Sequence, residues 1–535
     1  MKKSGFILFT LIALFTTGKA QVITGENVAI ANTDNGQVRG YIHNQIFTYK
    51  GIPYAEAKRF EAPHKPAAWT GVRSSMTYGP VAPLLEPTTS VFDEVEFLFH
   101  HDWGYTSEDC LRLNVWTPAL DGKKRPVMFW IHGGGFTAGS SQELPSYDGE
   151  NLARTGDVVV VSINHRLNIL GFLDLSAYRE QFKTSANNSI LDMVAALQWV
   201  QANIANFGGD PNNVTIFGQS GGGAKVNTLM AMPKAKGLFS KAINESGAIR
   251  ANMLEKPETQ AIGAAVIAEL GIQPNDIGKI QEIPFDQLAA AGKIALKKVE
   301  DQMRADGKQL SAFGLNWGPS VDGELLPYQI FSPEAMQLSK DIPLLIGTVK
   351  NEFMASMGSG LTHATMDEVV AAIKNQRGDQ TEAYLAAVKE AFPNPQMPSD
   401  LMDVDVMFRP GSVFEANTKS AVPGGAPVYM YLFTWQSPIM DGKYKAIHCM
   451  ELPFVFNNIA RCEEMTGGGP EAYALAEKVS KAWVQFARTG NPNHPGLPQW
   501  EAYQESNGTT MFFDNECTIR HHHDQTLMKL LQQQH

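Results

Sequence analysis

A chain of 535 residues with 44% apolar and 19% charged side chains can bury a large core and has the composition of a globular protein. Its 55 acidic residues against 44 basic ones, a formal charge of −11, exclude electrostatic attraction to nucleic acid or anionic lipid. Four cysteines (Cys110, Cys449, Cys462 and Cys517) are too few for a disulfide scaffold at this length.

The chain opens with Lys2 and Lys3, an apolar run from Phe6 to Phe15, and Gly18-Lys19-Ala20. That order of basic, apolar and small residues predicts a signal peptide over residues 1–20, cut before Gln21. Without Lys2, Lys3 and Lys19 the formal charge falls from −11 to −14, and the chain is expected to be secreted or periplasmic. No later run reaches the ~18 apolar residues of a membrane span, so none is expected.

Short β-branched runs then alternate with helical patterns. Strands are predicted at Pro126–Ile131, Val158–Ile163, Val214–Phe217, Pro343–Thr348 and Pro427–Phe433. Ile190, Leu191, Val194, Leu197, Val200 and Ile204 recur at three- and four-residue steps, the pattern of a core-facing helix ended by Gly208-Gly209. The tract from Leu254 to Leu310 is helix-rich and is expected to pack over the sheet edge. A final amphipathic helix is predicted over Glu471–Arg488, stopped by Gly490. Strands that are apolar throughout, between helices, imply a largely parallel sheet covered on both faces. Residues 21–535 read as a single α/β domain.

Two glycine-rich stretches stand out. Gly218-Gln219-Ser220-Gly221-Gly222 follows the Val214–Phe217 run and fits G-x-S-x-G, the sharp strand-to-helix turn that exposes a serine nucleophile. His132-Gly133-Gly134-Gly135-Phe136 follows an earlier strand and fits the loop whose N–H groups receive an oxyanion. A serine hydroxyl needs a base and a group that orients the base. Thirteen histidines and 55 acids leave both open on pattern alone.

These motifs occur with Ser107–Val115 (S-E-D-C-L-R-L-N-V), Asn164–Leu173 (N-H-R-L-N-I-L-G-F-L), Phe207–Gly222 and Gly490–Asn493 (G-N-P-N). Together they resemble the type-B carboxylesterases, the family of the cholinesterases and para-nitrobenzyl esterases. The resemblance implies an α/β-hydrolase fold and a serine carboxylesterase acting on a small-molecule ester through an acyl-enzyme, with no metal and no cofactor. It implies Ser220 as nucleophile, Glu352 (in Gly347–Glu352) as acid and His448 (in His448–Phe456) as base. Gly134, Gly135 and Gly221 would supply the oxyanion donors. The chain departs from the family at Gln219, where Glu is commoner, and at Gly221, where Ala is commoner. It has Ala82 where a cysteine often partners the equivalent of Cys110, and it lacks the choline-site tryptophan at its usual offset.

Two other readings remain: a binding or adhesion module on the same fold, and a lipase, thioesterase or amidase. Around the site, the resemblance implies a Glu108–Arg166 ion pair and a role for Ser246 behind the triad. Glu451, three positions after His448, is expected to be its structural partner, Asp322 is read as structural, and Trp317 lines a pocket or fills the core. Cys449 and Cys462 are a candidate disulfide, and His521-His522-His523 is expected to be solvated surface.

Overall fold

The computed structural model describes residues 22–86, 88, 93–249, 252–310 and 314–532. The expected signal peptide lies outside them. Among the described residues eleven strands form one sheet. In chain order they are β1 (Tyr41–His43), β2 (Ile46–Pro53), β3 (Arg112–Thr117), β4 (Arg125–Ile131), β5 (Val159–Ile163) and β6 (Gly209–Gln219). They continue as β7 (Lys241–Glu245), β8 (Leu344–Val349), β9 (Val428–Phe433), β10 (Thr509–Phe513) and β11 (Thr518–His521). Their spatial order is β11-β10-β9-β8-β7-β6-β4-β5-β3-β2-β1. Pairing is parallel from β5 through β10 and antiparallel at both margins, so the sheet is mixed only at its edges. Every predicted strand is present, with ends moved by a few residues.

The apolar strands read as they do because both faces are covered. Side chains alternate across a strand. Val127, Phe129 and Ile131 of β4 therefore join one cluster with Ile190, Leu197 and Val200 of α1 (Asn188–Asn203) and Val226 of α2 (Gly221–Met230). Met128 and Trp130 of the same strand join the other cluster, with Leu475, Val479 and Trp483. Each large side chain so buried contributes roughly 1.5–3 kcal/mol. Trp317 belongs to the first cluster and is core.

The helix-rich tract holds α3 (Lys256–Glu269) and α4 (Phe285–Ala305). It does not cover the sheet edge as expected. Its α4 packs on the short helix Asn168–Phe172, because Gly292 brings the backbone against Ile169 and Trp317. The amphipathic helix α5 (Pro470–Thr489) ends on Gly490 at φ 77°, but Gln525–Gln532 forms a later one.

Several side-chain expectations are corrected. Arg166 pairs with Asp192 of α1, at 2.6 and 2.8 Å, rather than with Glu108, which pairs with Arg59. Asp192 is fully buried within reach of the guanidinium, whereas Glu108 is partly exposed and taken by Arg59. All four cysteines are free. Cys449 donates its thiol to Gln219 Oε1 at 3.2 Å, while Cys462 stands at the start of the helix Glu463–Thr466. His523 is buried beside Asp524 and edge-on to Phe512, unlike its exposed neighbour His521. Asp322 is structural: its Oδ1 accepts the N–H groups of Glu324, Leu325 and Leu326.

Candidate active site

The predicted residues meet at the carboxyl ends of the parallel strands, where ligands bind in sheets of this kind. Ser220 follows β6 with φ 57° and ψ −126°, a conformation that costs on the order of 1–3 kcal/mol for a residue with a side chain. Neighbouring strands hold it there. Ser220 N–H donates to Glu245 O at 2.8 Å, one strand over, and Ser246 N–H donates to Gly347 O at 2.8 Å, one strand further. The flanking glycines are required by close approach. A Cβ on Gly222 would lie 2.1 Å from Ile131 O, and one on Gly221 would lie 2.2 Å from Gly135 O.

Glu352 sits in the turn after β8, fully buried. His448 N–H donates to Glu352 O at 3.1 Å, and Asn351 N–H donates to Ala446 O at 3.1 Å, so the two loops are tied by backbone. Beneath them Lys445 is buried against Asp400 and Asp403, at 2.6 and 2.7 Å. This frame brings His448 Nδ1 into a short hydrogen bond with Glu352 Oε2. Glu352 Oε1 accepts Val349 N–H at 3.1 Å. Ser246 faces the same carboxylate and lowers its pKa, although its hydroxyl falls outside full hydrogen-bond geometry.

Burial acts on both partners, lowering His448 to about 4 and raising Glu352 to about 8. The two directions compete for the one proton between them. We assign it to His448 Nδ1, because the Val349 N–H and Ser246 both favour a charged carboxylate. Ser220 makes no hydrogen bond to His448 among the described residues. The Gln219 amide lies between the elbow and the ring, 3.4 Å from each ring nitrogen. Serine–histidine contacts in unliganded hydrolases often tighten only when substrate binds.

Gly134 and Gly135 are exposed at the head of the loop after β4, with φ of 79° and 60°. The N–H groups of Gly134, Gly135 and Gly221 donate to no protein acceptor among the described residues. Gly135 and Gly221 are backbone to backbone across the serine. All three donors are therefore unengaged in the loop and elbow next to Ser220.

Sequence reasoning missed several participants. Asp405 accepts the N–H groups of Met407 and Phe408 at 2.8 and 3.0 Å, which lays Phe408 flat on His448 with centroids 5.4 Å apart. Phe353, directly after the acid, lies tilted by 32° against His448 at 4.7 Å, touches Phe408 at 6.0 Å and is 56% exposed. Glu451 does not pair with His448. Among the described residues neither of its carboxylate oxygens has a hydrogen-bond partner, and burial with the nearby Glu352 charge keeps its pKa high. Glu245 is likewise held up by burial and by Glu451.

A strained serine between a parallel strand and a helix, a buried histidine–carboxylate pair and an adjacent glycine loop define an α/β-hydrolase. Residues 27–530 match the model of the carboxylesterase family. The para-nitrobenzyl esterase of Bacillus subtilis (strain 168) is 37% identical over 499 residues, covering 92% of this chain and 96% of that one. The phenmedipham hydrolase of Pseudarthrobacter oxydans is 32% identical over 498 residues, covering 91% and 95%. A solved esterase from Clostridium hathewayi, described as hydrolysing aliphatic aromatic polyesters, superposes with a TM-score of 0.83 at 36% identity, covering 96% and 99%. The chain belongs to the carboxylesterase family and is a serine hydrolase of carboxylic ester bonds. The binding-module reading is not favoured. Among the described residues no helix is long and apolar enough to cross a membrane.

Proposed function

We propose that Ser220, His448 and Glu352 are the catalytic triad of an exported esterase formed by residues 21–535, with 1–20 as its signal peptide. The observation that carries the triad is the Glu352–His448 hydrogen bond beside the strained Ser220 turn. Ser220 Oγ attacks the ester carbonyl while His448 Nε2 takes the hydroxyl proton. Glu352 holds Nδ1–H, fixes the tautomer and stabilises the imidazolium. The N–H groups of Gly134, Gly135 and Gly221 receive the oxyanion, each donor worth roughly 2.7–4 kcal/mol. The intermediate collapses, the alcohol leaves with the proton from His448, and water activated by the same nitrogen releases the acid.

Small esters bearing an aromatic ring suit the site best. Phe353 lies against His448 and, more than half exposed, offers a ring to such a group, with the buried Phe408 packed behind it. The named substrates of the relatives, para-nitrobenzyl esters and aliphatic aromatic polyesters, point the same way. A panel of acetates tests this: benzyl acetate should exceed an alkyl acetate of equal size in kcat/KM. Ser220→Ala should lower kcat by about 10⁴–10⁶ on all of them. Equal turnover of the folded variant would remove Ser220 from the mechanism.

A further inference from the structure

We infer that Lys225 is a positioning residue of the oxyanion loop, a buried cation that anchors the loop from behind and polarises the peptide whose N–H belongs to Gly134. The inference rests on the oxyanion assignment above.

Lys225 lies in α2, one turn after the nucleophile, and is completely buried in a helix otherwise packed into the core. Its Nζ donates to His132 O at 3.0 Å and to Gly133 O at 3.3 Å. The second bond matters most. Gly133 C=O and Gly134 N–H belong to one planar amide, so a cation on the oxygen strengthens the N–H as a donor. His132 Nδ1 also lies 3.0 Å from Gly133 O. A carbonyl only accepts, so Nδ1 carries the hydrogen, and the same peptide is polarised twice. The carbonyl of the next peptide, Gly134 O, instead accepts backbone N–H from Ala138 at 2.9 Å.

The groups facing the ammonium are few. Glu143 stabilises it from the loop that follows, and the Phe136 ring lies 6.0 Å from Nζ. The stacked rings of His132 and His165, 4.8 Å apart, stand on the remaining side and are held neutral by burial and by the lysine charge. Burial lowers Lys225 to about 7, with Glu143 opposing. The charge is therefore present below neutral pH and lost above it. A purely structural lysine would cost stability when removed. A polarising one must also change kcat and its pH dependence.

The experiment compares wild type, Lys225→Met and Lys225→Gln with a chromogenic acetate and a trifluoromethyl ketone, which forms an oxyanion in the same hole. In folded Lys225→Met, kcat should fall about tenfold with KM nearly unchanged, less than the 10²–10³ lost when a donor is deleted outright. The ketone should bind about tenfold more weakly, and Lys225→Gln should lie between the two. Wild-type kcat should decline on the alkaline side, and this decline should be missing from the variants. A folded variant with kcat within about twofold of wild type, or with the same alkaline limb, overturns the inference. If neither variant folds, the wild type decides: ketone affinity and kcat that stay level above neutral pH also overturn it. Ser220→Ala, run alongside, separates this failure from failure of the triad, since only the latter leaves that variant active.

Discussion

Gly221→Ala is a small change that the geometry makes damaging. The added Cβ would stand 2.2 Å from Gly135 O and 2.4 Å from Gly135 N and Cα, all backbone atoms. Carbon and oxygen in ordinary contact are more than 3 Å apart, so relief requires the loop to move by about 1 Å. The elbow has little freedom to move instead, because Ser220 N–H is bonded to β7 and the Gly222 backbone abuts Ile131 O. A displacement of about 1 Å at a reacting centre costs roughly a hundredfold in rate. This agrees with weakening one oxyanion donor, worth roughly 10²–10³. The expected result is kcat lower by about a hundredfold on a para-nitrophenyl ester, with KM changed only a few-fold and the protein still folded by circular dichroism. The resemblance makes the test sharp, since alanine is the commoner residue at this position in the family. Unchanged kcat in a folded Gly221→Ala would show that the loop does not close against the elbow as described.

Other outcomes follow from the same geometry. Glu352→Gln should retain the fold and lower kcat at least a hundredfold, because an amide can hold the wrong tautomer, whereas Glu451→Gln, which removes no hydrogen bond, should change it little; steady-state kinetics of both decides. The base must be neutral, and burial lowers His448, so kcat/KM should persist below pH 6.5 and be lost only as pH falls further. An acid limb near pH 8 would instead mean that protonation of Glu352 governs activity. Arg166→Met strands Asp192 without its cation, and chemical denaturation should show a loss of about 3–5 kcal/mol with the site residues untouched.

What could be read from the sequence was whatever depends on local backbone. The elbow needs glycines because Ile131 O and the Gly135 backbone leave no room for Cβ atoms, so Gly218–Gly222 is conspicuous in the chain itself. Strands buried on both faces are likewise visible as unbroken apolar runs. Partner choice across the fold was not visible. Arg166 could be matched with Glu108 by resemblance, but Asp192 on α1 reaches it in space, and no spacing rule connects the two positions. Glu451 looks like a neighbour of His448 in sequence, yet the helix Leu452–Val455 that begins there turns its carboxylate into the interior. Lys225 gave one signal, the lone charge in the helix Gly221–Met230, whose meaning appears only when the loop after β4 lies across its tip. Asp405 gave none, because its task is to cap the turn that carries Phe408.

Every step of the mechanism depends on Ser220 as the covalent nucleophile. The most direct measurement is to inactivate the protein with a fluorophosphonate, digest it and map the adduct by mass spectrometry, with residual esterase activity followed in parallel. One phosphonylated residue is expected, Ser220, in proportion to the activity lost, with no adduct in Ser220→Ala. Inactivation with the label on another residue, or full activity with Ser220 labelled, would contradict it.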